Sequence, residues 1–180
     1  MNRFAQLLDR LSYQPARNGK LRLMTDYFRH TPDPERGYAL AALTGGLSFR
    51  HAKPALIRDL VAERIDPALF ALSYDFVGDL SETVALLWTP EETHGSNHPP
   101  LLLSEVVEAL ARAGRNDLRN LLTNWLDALD ETGRWALLKL ITGALRVGVS
   151  ARLARTAVAE LGAVEVDAVE QVWHGLTPPY

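Results

Sequence analysis

Apolar residues recur every three or four positions along most of this chain, which is the spacing of one face of an α-helix. The clearest runs are Phe4, Leu7, Leu8 and Leu11, then Leu21, Met24 and Phe28, then Leu118, Leu122 and Trp125. The alternating pattern of a half-buried strand is scarce. The chain is therefore predicted to be all-α with about ten short helices, in segments near residues 2–12, 18–30, 34–44, 53–64, 67–74, 79–88, 101–113, 116–130, 132–144, 151–161 and 165–174.

Helix-start signals support these segments. Thr31-Pro32-Asp33-Pro34 precedes the run at 35–44, and Asp66-Pro67 opens the run at 67–74. Both place a capping oxygen beside a proline near the first turn. Asp79, followed three residues later by Glu82, has the spacing of a capping box, so both are expected to cap a helix.

A linker divides the chain nearly in half. Residues 89–100 read TPEETHGSNHPP and are rich in proline, glycine and small polar side chains. The flanking halves, about 1–88 and 101–176, align at a drifting offset that keeps aromatic residues on aromatic residues. The pairs are Leu21-Arg22 with Leu118-Arg119, Phe28 with Trp125, Tyr38 with Trp135, Thr44-Gly45-Gly46-Leu47 with Thr142-Gly143-Ala144-Leu145, and Tyr74 with Trp173. We predict a single domain over 1–180 that arose by duplication, with its two halves related by a pseudo-twofold axis.

Composition fits one globular domain. The 180 residues are 47% hydrophobic and 23% charged, enough to bury a substantial core. The chain has no cysteine, which excludes a disulfide framework and a thiolate metal site. Its amino terminus is not a secretory signal, and no uncharged apolar run approaches the roughly 20 residues that span a bilayer. We expect a cytoplasmic protein without a membrane partner.

The net charge of −3 conceals strong segregation along the chain. Residues 1–58 carry +6 and residues 109–155 carry +4, whereas residues 59–108 carry −9 and the last 25 residues carry −4. Two basic blocks could form a surface that attracts a polyanion. Ordinary solvated helix faces would produce the same pattern, so charge alone does not decide.

The second half contains ITGALRVGVSARLAR, a glycine turn that joins two helices and carries three arginines. Gly143 and Gly148 permit positive φ, and Ser150 is a good N-cap for the helix that follows. A helix N-terminus attracts anions, and Arg146, Arg152 and Arg155 would add long donors around it. The turn is therefore a candidate clamp for a phosphate backbone. A plain connection with solvated arginines is the alternative.

Other candidate sites have simpler explanations. His94 and His98 lie four residues apart beside Glu91 and Glu92, but a linker without cysteine favours a solvated segment over a metal site. Asp75, Asp79 and Glu82 could suggest paired carboxylates for acid–base catalysis, although capping explains the last two. Core positions are expected for Trp125, Trp135 and Trp173, and in part for Tyr27 and Phe28. The sequence has no Walker loop and no nucleophile elbow.

The order of several motifs resembles the N-terminal DNA-binding domain of ATP-dependent DNA ligases, bacterial and archaeal forms especially. The segments are KLRLMTDYF, VGDLSETVAL, LLLSEVVEALA, LITGALRVGVSARLARTAVAEL and VDAVEQVW, in this order over essentially the whole chain. The most specific is the turn, where Gly143, Leu145, Arg146 and Gly148 fill the family pattern. Gly78, Asp79 and Leu80 match its Gly-Asp-Leu element. At 175–179 the chain reads GLTPP where other members repeat an Asp-Leu-Gly phrase, so no role is transferred to that position.

The resemblance implies a helical domain that binds the minor groove of duplex DNA around a nick, without reading sequence. It also implies a ligase that seals nicks in replication, repair and recombination, using ATP and Mg²⁺. The chain has no Lys-x-Asp-Gly adenylation motif, so it is not expected to catalyse ligation by itself. The adenylation and OB-fold domains are expected outside this chain, beyond a linker that starts near Thr177. Nicked DNA and those domains would be its partners, and a monomer associated with the nucleoid is expected.

The candidate DNA-binding residues form three groups. They are Gly143, Leu145, Arg146, Val147, Gly148, Val149, Ser150, Arg152 and Arg155 in the second-half turn; Gly45, Gly46, Arg50 and Lys53 in its first-half copy; and Arg17, Lys20, Arg115 and Arg119 at two helix starts. No catalytic and no metal-binding residue is assigned. The rival hypothesis is a helical protein-interaction scaffold, in which the same turns only join stacked helices and bind no nucleic acid.

Overall fold

The computed structural model describes residues 1–90, 100–143 and 145–175, and in these ranges the secondary structure is entirely helical. The eleven helices are α1 (Asn2–Tyr13), α2 (Arg17–His30), α3 (Glu35–Leu43), α4 (Pro54–Arg64), α5 (Pro67–Val77), α6 (Leu80–Leu87), α7 (Leu103–Arg112), α8 (Arg115–Ala128), α9 (Glu131–Thr142), α10 (Ala151–Gly162) and α11 (Val166–Trp173). The all-α prediction is confirmed, and every predicted boundary lies within three residues of the observed one. Most of the predicted linker, with His94 and His98, lies outside the described residues, as does the segment from Thr177 onward.

The caps follow the local sequence. Asp66 Oδ1 accepts a hydrogen bond from the Leu69 amide at 2.9 Å, and Asp79 Oδ1 accepts one from the Glu82 amide at 3.1 Å. Each therefore satisfies an amide that the helix itself leaves unpaired. The Glu82 side chain does not complete a capping box, because its Oε1 atom lies 3.8 Å from the Lys139 ammonium instead.

The chain forms two compact units, each assembled from separate stretches of sequence. The first unit consists of residues 1–5 and 48–144, and the second of residues 6–47 and 145–180. Each unit thus takes one part from either predicted half. In the first unit α4 contacts α8, and in the second unit α10 contacts α2. Under the predicted repeat, α10 corresponds to α4 and α2 corresponds to α8. The duplication and the pseudo-twofold relation stay predictions.

In the first unit α9 packs against α6 and α4, and a polar network lies beside the core. Asp127 has only 2% of its side chain exposed and accepts hydrogen bonds from Arg64 at 2.9 Å and from the Trp88 indole at 2.8 Å. The Arg64 guanidinium also lies 4.9 Å above the Trp88 ring. Pairing of this kind makes burial of the Asp127 carboxylate tolerable.

In the second unit α10 packs against α2, α3 and α11. The core of this unit contains buried side chains from both stretches of sequence: Leu8, Leu11, Met24 and Phe28 from the first, and Ala154 and Ala157 from the second. The small residues of α10 permit close approach of neighbouring helices. Phe28 is buried and Tyr27 half-buried, in agreement with the sequence-based expectation.

The tryptophans depart from expectation. Trp125, Trp135 and Trp173 are half-buried, whereas Trp88, which the sequence did not single out, is buried. Two of the half-buried rings keep one face for a cation: Lys139 lies 5.8 Å from the centre of Trp135, and Arg155 lies 5.2 Å from that of Trp173. A cation contact does not by itself decide burial, because Arg64 also lies over the ring of the buried Trp88.

Candidate nucleic-acid interface

The predicted clamp is centred on a turn that lies in the second unit and runs from Leu145 to Ser150. Val147 is buried and anchors the turn, while its neighbours Arg146 and Gly148 are exposed. Gly148 has a φ of +66°, which glycine adopts without steric cost. The sequence-based assignment of a glycine-dependent turn is correct at this position.

Lys20 of α2 supports the turn from beneath. Its ammonium is buried and donates a 2.6 Å hydrogen bond to the carbonyl oxygen of Val147. A Cβ atom at position 148 would overlap this ammonium, so a larger residue there would displace the end of the Lys20 side chain in addition to straining the backbone. The sequence predicted Lys20 as a direct phosphate contact. That role stays a prediction, while the observed hydrogen bond holds the turn in place.

The backbone conformation of Arg146 was not predicted from the sequence. Its φ is +50°, in the left-handed region that non-glycine residues rarely occupy. The side chain is exposed and forms no ion pair within the part of the chain that the structure describes. A strained backbone that presents an unpaired arginine to solvent is typical of a functional position. The signal in the sequence was only the flanking pattern of glycines.

The turn leads directly into the N-terminus of α10. Ser150 caps this helix, accepting the Leu153 amide on its Oγ atom at 3.1 Å. The first turn of α10 contains no acidic residue, and it contains Arg152, which is exposed and unpaired among residues 1–90, 100–143 and 145–175. Free amides, the positive end of the helix dipole and Arg146 with Arg152 therefore combine to attract an anion.

Arg155 is placed differently from the other two arginines of the turn. Its guanidinium stacks over Trp173, and its Nε atom lies 3.8 Å from a carboxylate oxygen of Glu170. Only 23% of the side chain is exposed. Arg155 thus links α10 to α11, and its predicted contact with DNA stays a prediction.

The first-half copy of the motif ends α3 in the same unit. Thr44 is the C-cap, and Gly45, at a φ of +74°, is followed by Gly46, whose amide donates to the Ala41 carbonyl at 2.8 Å. With the Gly45 amide on Ala42, this is a Schellman motif. Gly143, which corresponds to Gly45 in the predicted repeat, ends α9 in the first unit at a φ of +71°. The two glycines therefore perform the same local task.

The remaining candidate cations fall into an unpaired and a paired group. Arg17 in the second unit and Arg50 and Lys53 in the first are exposed, and none forms an ion pair in the described ranges. Arg115 and Arg119 of α8 pair with carboxylates of α4: Arg115 with Asp59 at 3.0 Å, and Arg119 with Glu63. A paired arginine has less to gain from a phosphate, so Arg17, Arg50 and Lys53 fit a polyanion better.

The Gly-Asp-Leu element has a structural role in the first unit. Gly78 ends α5 at a φ of +75°, and Asp79 both caps α6 and accepts a 2.7 Å hydrogen bond from Lys139, which is buried. Burial of Asp79 would raise the pKa of its carboxyl, but the hydrogen bonds from Lys139 and the Glu82 amide outweigh this and lower that pKa. Because Asp79 is ionised, paired with Lys139 and engaged as a helix cap, it is not poised for acid–base catalysis.

The described part of the chain lacks the features of a metal site and of a membrane span. It contains no group of three or more histidine, cysteine or acidic side chains able to hold a metal ion. It also contains no helix long and apolar enough to cross a membrane. The feature of this part of the chain that stands out is the arginine-bearing turn.

Comparison with known proteins gives this turn a context. No curated protein matches the chain. A family model described as the N terminus of DNA ligase matches residues 1–159, which include α1 to α9, the turn and most of α10. This chain therefore belongs to the family of DNA ligase N-terminal domains.

Proposed function

We propose that this domain binds duplex DNA around nicks, along the minor groove and without reading base sequence. In this proposal it acts as the N-terminal domain of an ATP-dependent ligase that seals nicks in replication, repair and recombination. The observation that carries the proposal is the exposed Arg146, which has a left-handed backbone and no ion pair with any residue that the structure describes. It lies in a turn that Lys20 holds and that leads into a helix N-terminus without acidic residues. Membership of the ligase family supports the same conclusion.

The contacts available in the turn suit a phosphate backbone. Main-chain amides and long arginine donors bind phosphate oxygens irrespective of base identity. Arg146 and Arg152 supply the charge, and the Ala151 and Arg152 amides at the start of α10 supply neutral donors. A ligase must bind any nick regardless of sequence, so this donor set fits the task better than a set of side chains that read base edges.

The chemistry of ligation belongs elsewhere in the ligase under this proposal. No lysine of the chain is followed by x-Asp-Gly. We place ATP, Mg²⁺ and the covalent steps in further domains that act in cis, with the present domain holding the substrate. It would act as a monomer at the chromosome in the cytoplasm.

Binding to a fluorescent duplex with one central nick tests the proposal, with an intact duplex for comparison. The affinity is measured by anisotropy at salt concentrations from about 50 to 300 mM, because each phosphate contact adds roughly 0.9 to the logarithmic salt slope. Arg146→Ala and Arg152→Ala should each weaken binding roughly tenfold and lower the slope by about one. The matched control is Arg29→Ala, an exposed arginine of α2 that pairs with Asp26.

The scaffold hypothesis predicts a different result. If the affinity does not change with salt, or the double variant Arg146→Ala/Arg152→Ala binds as tightly as the natural chain, the turn only connects two helices. Equal loss of affinity in Arg29→Ala would mean that overall charge, and not the turn, governs binding.

A further inference from the structure

Helix α5 is apolar, yet none of its residues is buried. Leu69, Leu72 and Phe76 are 50%, 72% and 92% exposed. Their spacing of three and four residues places them on one side of the helix. Such a stripe on a single helix marks an interaction site more often than scattered apolar residues do.

The stripe continues onto α6 and encloses a groove. Leu86 of α6 is 58% exposed, and a groove of about 290 Å³ lies between the two helices. Leu72, Phe76 and Val77 line one side of it, and Thr83, Leu86 and Leu87 line the other. We call this surface the α5/α6 face. It has the shape and chemistry that receive the apolar stripe of a helix.

The segment that forms the α5/α6 face carries only acidic charges, although Arg58 of α4 lies 5.3 Å from the ring centre of Tyr74 in α5. Residues 65–90 contain four carboxylates and no lysine or arginine. Lys139 of α9 already pairs with Asp79 and lies 3.8 Å from Glu82, whereas Asp66 and Asp75 are exposed and form no ion pair in the part of the chain that the structure describes. Asp75 lies in the last turn of α5, where the helix dipole is already negative. A carboxylate there gains nothing within the chain and would favour an external cation.

These charges distinguish between possible occupants. A nucleic acid would be repelled by the unpaired carboxylates of Asp66 and Asp75. A second copy joined through the same face would bring two sets of these carboxylates together, since a twofold interface apposes identical surfaces. A helix with an apolar stripe flanked by lysine or arginine complements both the groove and these two carboxylates.

We propose that the α5/α6 face binds a basic amphipathic helix of a partner protein. The apolar side chains of that helix would occupy the groove against Leu72 and Phe76, and its basic flank would face Asp66 and Asp75. The face belongs to the first unit and the arginine-bearing turn to the second, and the proposal does not rest on DNA binding.

The probe is a designed helical peptide of about 18 residues, long enough to be partly helical by itself. It carries leucine at every third or fourth position and lysine on both flanks; a second peptide has glutamate in place of each lysine. The affinity of the whole 180-residue chain for each is measured by anisotropy. The lysine peptide should bind at least about tenfold more tightly than the glutamate peptide.

Variants assign the peptide to the face. The double variant Leu72→Ser/Phe76→Ser should bind the lysine peptide roughly tenfold or more weakly than the natural chain. Asp75→Lys, added to this double variant, should weaken binding of that peptide further. Both replaced side chains are largely exposed, so the variants should fold normally, as circular dichroism can verify. Tyr13→Ser is the matched control, since Tyr13 is 81% exposed and belongs to the second unit. The natural and variant chains should bind nicked DNA alike.

Three results would overturn the proposal. The first is equal affinity for the lysine and glutamate peptides, and the second is unchanged affinity in Leu72→Ser/Phe76→Ser. The third is a dimer in sedimentation that this double variant abolishes, which would assign the face to a second copy of the chain.

Discussion

The ammonium of Lys20 donates a 2.6 Å hydrogen bond to the carbonyl oxygen of Val147, 127 residues further along the chain. The bond ties α2 to the turn that carries Arg146, and it is buried. It explains why a positively charged side chain is found inside the second unit. Under the proposed function, Lys20 would therefore affect DNA binding indirectly, by holding the conformation of the turn.

Replacement of Lys20 by methionine should therefore act through Arg146. Methionine keeps the apolar stem but leaves the Val147 carbonyl without its donor, at a cost of roughly 1–3 kcal/mol in unfolding free energy. A double-mutant cycle of Lys20→Met with Arg146→Ala, measured as affinity for nicked duplex, should give a coupling of about 1 kcal/mol or more. Additive effects would instead identify Lys20 as an independent phosphate contact.

Gly148 should be the glycine of the turn that tolerates alanine least. Alanine there would take a strained positive φ and would also overlap Lys20, so we expect a loss of roughly 2–3 kcal/mol in unfolding free energy. Gly45→Ala is the matched control, because its φ is similar and nothing lies within 4 Å of the added carbon. That variant should lose only about 1 kcal/mol. Equal losses in urea titrations would show that Lys20 moves aside at no cost.

Substitution of Arg146 should change the affinity for DNA without lowering the stability of the fold. Glycine adopts a φ of +50° without strain, so Arg146→Gly should raise or preserve the midpoint of thermal unfolding while it weakens binding to nicked duplex roughly tenfold. Arg146→Lys keeps the charge and the strain, and should retain most of the affinity. If Arg146→Gly destabilised the fold and bound DNA normally, the arginine would be structural.

The Asp79–Lys139 pair should produce a pH-dependent stability. The pKa of Asp79 is lowered in the folded chain, so the pair stabilises the fold above the unfolded pKa of about 3.9, and this contribution is lost as the pH falls through the folded value. Urea titrations between about pH 7 and 3 should show that Asp79→Asn costs much at neutral pH and little in acid. Because asparagine retains the N-cap, a cost that stays constant over this range would mean that the charge of Asp79 is not what stabilises the fold.

The two partners of this pair should not be equivalent at pH 7. Asp79→Ala leaves the buried Lys139 ammonium without its close partner and should cost roughly 3 kcal/mol. Lys139→Met leaves Asp79 as a partly exposed cap and should cost less. The order of the two losses, measured by urea unfolding, checks this asymmetry; the reverse order would mean that Lys139 matters chiefly through its packing against Trp135.

The sequence by itself determined the helices and the glycine turns. Apolar spacing and caps such as Asp66 and Asp79 act within one or two turns of chain, so their effect could be read locally. The positive φ of Gly143 and Gly148 followed from the same local logic. The family resemblance, drawn from short motifs in order, is confirmed by the match over residues 1–159.

Only the tertiary structure decided which charged side chains are available to a ligand. Lys20 and Arg17 lie three residues apart in sequence, but one is buried on Val147 and the other is exposed. Arg119 pairs with Glu63, and Arg155 lies over Trp173, although both resemble free cations in the sequence. Exposure and pairing depend on contacts between residues far apart in the chain, for which local spacing carries no signal. For the same reason the compact units, each formed from separated stretches of sequence, could not be read from the order of residues alone.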